Sequence, residues 1–281
     1  AMVAATASVP AFATEDGNTN QASAAPGGAP IASFAKSAEE TPAANDQGGT
    51  PTAQNSIKVN SAEALKNALQ GNSSEIIVEN DIVLSESITV NHQVTLKGPD
   101  DGSKPIISGR TITFGAGADN STVSFLTFKS ETSSDSVTQS IKILGASDVS
   151  ITGCTFTIAD TCTYDSNNQF TSIWIQNATE NPSDHAKIQD CNFNFSNCVA
   201  GRTNVAIAIQ SLNNSEYPEN VQIMNNHFTS TVENRLQSDN QKEPYDGNSV
   251  SILTLGAEGT LTITGNTFEE VGGDGYDQKL T

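Results

Sequence analysis

Cations are scarce in this sequence: 13 lysines and arginines stand against 32 aspartates and glutamates, for a net charge of −19. A surface so negative repels nucleic acid and anionic lipid, and it disfavours polyanionic glycans unless a local basic patch or a bound cation intervenes. Long apolar runs are missing too. No stretch approaches the roughly 20 apolar residues of a membrane-spanning helix, so no membrane span is expected. Nor does any segment between the strand-like runs carry a helical apolar period of sufficient length, which excludes an alternating βαβ fold. Arginine occurs only at Arg110, Arg202 and Arg235, and tryptophan only at Trp174. None of the Cys and His spacings suggests zinc or a catalytic thiol.

Large apolar side chains are nearly absent from residues 14–55, which are rich in Ala, Gly, Pro, Thr, Ser, Asn and Gln. Burial there cannot offset the entropy of ordering, so this stretch is expected to be a disordered linker. Before it, residues 1–13 hold an apolar run, Pro10 and the triplet Ala11-Phe12-Ala13. That pattern predicts the remnant of a secretory signal peptide, cut after Ala13. The first basic residue is Lys36, so the true start of the signal is expected to be missing. Together these features point to a secreted or cell-surface protein with one folded domain over 56–281.

Within that domain five segments superimpose: NSTVSFLTF, DVSITGCTF, HAKIQDCNF, ENVQIMNNHF and GTLTITGNTF, ending on Phe128, Phe156, Phe193, Phe228 and Phe268. Five residues before each Phe stands Val123, Ile151, Ile188, Ile223 or Ile263, and two before it Leu126, Cys154, Cys191, Asn226 or Asn266. Intervals of three and two predict inward residues on a strand with one local bend or bulge between them. A second, alternating strand precedes each segment, with Ile112/Phe114, Ile141/Ile143, Ile173/Ile175, Ile207/Ile209 and Val250/Ile252 inward. Stacking such units about 4.8 Å apart pairs every strand with the coils above and below. The fold class is therefore all-β, a right-handed parallel β-helix.

Stacked Asn226 and Asn266 would satisfy each other's amides inside the core. The start of the stack is legible as well. Asn60-Ser61-Ala62-Glu63 resembles a capping box, Leu65, Ala68 and Leu69 share one face, and Gly71 ends the element. A short N-terminal capping helix over the first coil is expected. No comparable cover follows the last repeat, so the domain is expected to be truncated at its C-terminus.

The four cysteines fall into repeat-equivalent pairs. Inward Cys154 and Cys191 suit either stacked free thiols or a bridge, whereas the turn pair Cys162 and Cys198 favours a disulfide.

The helix, the short strands and the repeats ending in Asn-x-Phe or Cys-x-Phe resemble the pectate-lyase-like superfamily, including its domains in bacterial surface proteins. The resemblance covers residues 56–281 and implies a scaffold that hosts lyases, hydrolases, adhesins and stalks. It also implies motifs that this sequence lacks. The lyase Arg-x-Pro-x-x-Arg is absent, as are the polygalacturonase Asn-Thr-Asp, Gly-His-Gly and Arg-Ile-Lys. The only Asp pair, Asp100-Asp101, precedes the main repeats.

Alternation turns Trp174 outward, with Lys142 before it in the stack and Ala208, then Ser251, after it. An aromatic beside small residues is a platform for a sugar ring. The flanking long turns carry Asp160, Asp165, Glu180, Asp184, Glu243 and Asp246. The candidate ligand contacts are Trp174, Lys142, Asp165, Glu180 and Asp184, with no metal site. The leading expectation is a secreted or surface domain that binds an extracellular polysaccharide or host-surface glycan in adhesin fashion, or acts as a spacer. The alternative is a polysaccharide lyase or glycoside hydrolase. No cofactor is expected, calcium entering only in the lyase case.

Overall fold

The computed structural model describes residues 56–130, 139–158, 170–178, 180–195, 204–210, 217–231, 249–254 and 259–271. The expected signal remnant (1–13), the linker (14–55) and the Cys162 and Cys198 pair lie outside these residues.

The described strands form three parallel sheets. Sheet A contains Ser56–Val59, Glu75–Val78, Thr95–Lys97, Thr122–Ser124, Ser150–Thr152, Lys187–Gln189, Gln222–Met224 and Thr262–Thr264. Sheet B contains Ile82–Val83, Ile106–Ser108, Thr127–Ser130, Thr155–Ile158, Asn192–Phe195, His227–Thr231 and Thr267–Val271. Sheet C contains Ile88–Val90, Ile112–Phe114, Gln139–Leu144, Phe170–Gln176, Asn204–Gln210 and Ser249–Thr254. The chain visits A, B and C in turn and then returns to A one coil further on, which makes a right-handed parallel β-helix.

Each coil thus has three strands, and the bend expected within one strand is instead the corner between sheets A and B. Residues Phe125, Gly153, Asp190, Asn225 and Gly265 occupy that corner with φ of 52°, 64°, 55°, 54° and 68°. A single left-handed residue reverses the pleat and turns the chain, which is why the inward positions on either side are three apart rather than two.

The inward columns follow the repeat. Leu96, Val123, Ile151, Ile188 and Ile223 are in register along sheet A. Ile112, Ile141, Ile173 and Ile207 run along sheet C. On sheet B the rings of Phe128, Phe156, Phe193, Phe228 and Phe268 stack with centroids 5.3, 4.9, 4.8 and 5.0 Å apart and planes within 13° of parallel. The strand spacing of a parallel sheet, about 4.8 Å, imposes this face-to-face separation. In the last described coil Ile263 and Phe268 remain 46% and 50% exposed.

The column two residues before each Phe supplies hydrogen-bond donors to a fixed set of carbonyls. Asn266 Nδ2 donates to Ile223 O at 2.8 Å and Asn226 Nδ2 to Ile188 O at 3.0 Å. Cys191 Sγ lies 3.6 Å from Ile151 O and Cys154 Sγ 3.8 Å from Val123 O, each with a closer carbonyl in its own coil, Gln189 O at 3.3 Å and Thr152 O at 3.6 Å. Both cysteines are free thiols. The amides also link to each other as expected, Asn226 Nδ2 donating to Asn266 Oδ1 at 3.0 Å. The hydrogen bond with Cys154, together with burial, pushes the Cys191 thiol well above the ordinary range and keeps it protonated.

The helix Ala62–Gln70 turns Leu65, Ala68 and Leu69 into the core at the first coil. Ser61 caps it: Oγ accepts the Ala64 N–H at 3.3 Å while Ser61 O accepts from Leu65 N at 2.9 Å. Gly71 ends the helix for a steric reason rather than by a left-handed turn. Its φ is −87°, and a Cβ there would lie 2.9 Å from Asn67 O. Ser61→Ala is expected to destabilise the domain by ~1 kcal/mol, read as a lower urea midpoint with an unchanged m-value. No measurable change would mean that packing alone holds the helix.

Candidate ligand-binding face

Sheet C carries the sequence-predicted platform. Because Ile173 and Ile175 point inward, Trp174 projects from the outer face, in register with Lys142 on one side and Ala208 on the other. Lys142 Nζ sits 5.0 Å from the centre of the indole ring. A cation over an aromatic face is attracted by the ring quadrupole, by ~0.5–2 kcal/mol depending on desolvation. Burial pushes the Lys142 ammonium below the ordinary lysine range.

One neighbour differs from expectation. Leu253, not Ser251, is in register with Ala208, because Val250 pairs with Val205 rather than Ile207. The alternation of Ser249–Thr254 fits either frame, and the ladder chooses the one in which Ile252 stacks on Ile207.

The face is also more enclosed than an open platform. Trp174 is half-buried, and the outward Ser140, Ser172, Ala206 and Ala208 are buried. Two polar atoms on this strand have no hydrogen-bond partner among the described residues, Trp174 Nε1 and Ser172 Oγ. Both point to the same side, two residues apart, or about 6.6 Å along the strand. Leaving a buried donor unpaired costs about 1–3 kcal/mol.

At the start of the same strands a cleft of about 300 Å³, part of it open to solvent, lies at the corner between sheets B and C. Arg110, Lys129, Ser108, Ser130, Gln139, Ser140 and Phe170 are among its lining residues. Sequence reading noted Arg110 only as one of three arginines. The available signal was the change in the turns from sheet B to sheet C, which span 109–111 in one coil and 131–138 in the next.

Of the other predicted contacts, Asp184 and Glu180 lie among the described residues. Asp184 belongs to a ladder at the corner between sheets C and A. There Asp119 Oδ1 accepts Ser147 N at 2.7 Å, Ser147 Oγ accepts Asp184 N at 3.3 Å, and Asp184 Oδ1 accepts Glu219 N at 2.8 Å. Its carboxylate is thus engaged in joining coils. Glu180 is exposed, in the turn where Ala178 and Asn181 exchange backbone hydrogen bonds. Asp165, like Asp160, Glu243 and Asp246, lies outside the described residues. The three histidines stand apart: His92 Nε2 is 3.2 Å from Ser73 O, His185 lies between Asp148 and Asn220, and His227 faces out with Nε2 3.2 Å from Glu269.

No protein-family model matches this chain, and a search of curated proteins found no match.

Proposed function

We propose that this chain is a secreted or cell-surface domain of bacterial type, akin to pectate-lyase-like β-helix proteins, that binds an extracellular polysaccharide or host-surface glycan along the outer face of sheet C. The observation that carries this reading is the half-buried Trp174 indole on the outer face of sheet C with the Lys142 ammonium 5.0 Å from its ring centre. Saccharides suit this face. Their hydroxyl and ring oxygens accept hydrogen bonds, and their C–H faces pack on an indole. The signal-like Ala11-Phe12-Ala13 and the linker that follows support an exported role.

The test is a panel of neutral and acidic polysaccharides, titrated against the full chain and against Trp174→Ala. Product release is followed in parallel as new reducing ends and as unsaturated uronides. The expected result is saturable binding without turnover, weakened at least about tenfold in Trp174→Ala, a loss equivalent to ~1.4 kcal/mol. Lys142→Gln is expected to weaken acidic members more than neutral ones. Turnover would establish the enzymatic alternative, and no binding across the panel would leave a spacer.

A further inference from the structure

Phe125 breaks the pattern of its column. In register along the corner between sheets A and B stand Gly98, Phe125 and Gly153, followed by Asp190, Asn225 and Gly265. Glycine, asparagine and aspartate are the residues that tolerate a left-handed backbone, and a phenylalanine at φ 52° is an outlier of the kind that clusters at functional sites. Its ring is also 52% exposed, so core packing does not hold it there.

The neighbouring coils make room for it. A Cβ on Gly98 would stand 2.2 Å from Phe125 O, and one on Gly153 would stand 2.8 Å from the ring carbon Cε1. The ring therefore lies across the Gly153 backbone. Around it, by register and alternation, Thr152 on sheet A and Thr127 and Thr155 on sheet B present hydroxyls, while the preceding coil's corner beside Gly98 carries the Lys97–Asp100 ion pair.

We propose that Phe125 is the stacking platform of a second saccharide contact, specific for neutral sugars, at the corner between sheets A and B. This rests on the glycan-binding reading above but concerns a different side of the β-helix from Trp174. The chemistry of the corner selects the ligand. One isolated ring bordered by hydroxyls suits the apolar face and hydroxyl rim of a pyranose, whereas a protein partner needs a larger contiguous apolar patch. The other exposed large apolar side chains among the described residues, Ile57, Val83, Ile263 and Phe268, belong to coils nearer the two ends. The net charge of −19 disfavours an anionic sugar.

The test compares the full chain with Phe125→Asn, Phe125→Tyr and Trp174→Ala, measuring thermal unfolding and titration with neutral oligosaccharides. Asn fits the left-handed backbone, so Phe125→Asn is expected to raise Tm by at least about 2 °C. It should also weaken neutral-sugar binding at least about tenfold, while Phe125→Tyr retains binding. A fall in Tm for Phe125→Asn would show that the ring is a structural cover for Gly153 and overturn the inference. Unchanged binding in Phe125→Asn, with loss only in Trp174→Ala, would overturn the inference and leave the glycan-binding reading standing. No binding by the unmodified chain would overturn both.

Discussion

Replacing Phe193 by alanine is expected to lower the unfolding free energy by ~3–5 kcal/mol, the range for removing a fully buried aromatic. Phe193 is 0% exposed and sits in the middle of the sheet B column, its ring 4.9 Å from Phe156 and 4.8 Å from Phe228. Both stacked contacts vanish together. The strand spacing is held by backbone hydrogen bonds to the coils above and below, so the column has little freedom to close over the gap. The void therefore persists, and its walls lose dispersion contacts as well as hydrophobic transfer energy. Phe268→Ala, at a half-exposed ring with a single stacked neighbour, is expected to lose only about 1 kcal/mol. Denaturant titration of both variants makes the comparison. Because a solenoid's stability is carried by nearest-neighbour interfaces, hydrogen exchange in Phe193→Ala should accelerate first at Lys187–Gln189 and Asn192–Phe195. Equal losses in the two variants would show that stacking depth does not govern stability here.

Asn226→Ala is expected to be nearly as damaging, by a different route. Its Oδ1 accepts the Cys191 N–H at 2.9 Å and its Nδ2 donates to Ile188 O at 3.0 Å. Both partners are in the core, where water cannot replace the lost amide. Two orphaned backbone groups at about 1–3 kcal/mol each give an expected loss of ~2–5 kcal/mol. Asn226→Cys discriminates hydrogen bonding from volume. In the same column the thiols of Cys154 and Cys191 reach the equivalent carbonyls at 3.8 and 3.6 Å, so cysteine restores the donor but accepts only weakly. Its loss should fall clearly below that of alanine in equilibrium unfolding. If the two substitutions are equivalent, the column is filled for packing alone and the donor ladder contributes nothing.

The structure explains why that column, after Leu126, which donates nothing, mixes cysteine and asparagine. In composition alone the mixture reads as a drift from apolar to polar. The shared feature is the carbonyl that each donor serves, five residues before the Phe of the preceding coil. A thiol and an amide are interchangeable in kind there, though not in strength. The sequence left open whether Cys154 and Cys191 were bridged, since their spacing suits either state. Only the direction of each Sγ toward a carbonyl distinguishes them.

Other misreadings have equally local causes. The short strands of sheet B share their segments with those of sheet A, and no turn residue common to all coils separates them. Gly153, Asp190, Asn225 and Gly265 suit a left-handed corner, but Phe125 concealed it. The frame of Ser249–Thr254 was ambiguous because Val250, Ile252 and Thr254 alternate over a longer run than the pairing needs. That Asp184 accepts the Glu219 N–H, from a residue one coil away, is likewise beyond what spacing shows.

From sequence alone, the repeat determined the parallel β-helix, its inward columns and the outward pairing of Lys142 with Trp174. Those features follow from periodicity, since identical spacing in successive coils places equivalent side chains one strand apart. Tertiary structure alone decided which outward groups are buried without partners among the described residues, which acid is engaged in joining coils, and that Phe125 is exposed on a left-handed corner. These depend on turns of unequal length and on contacts between residues some 30 to 40 positions apart, where a regular repeat carries no information.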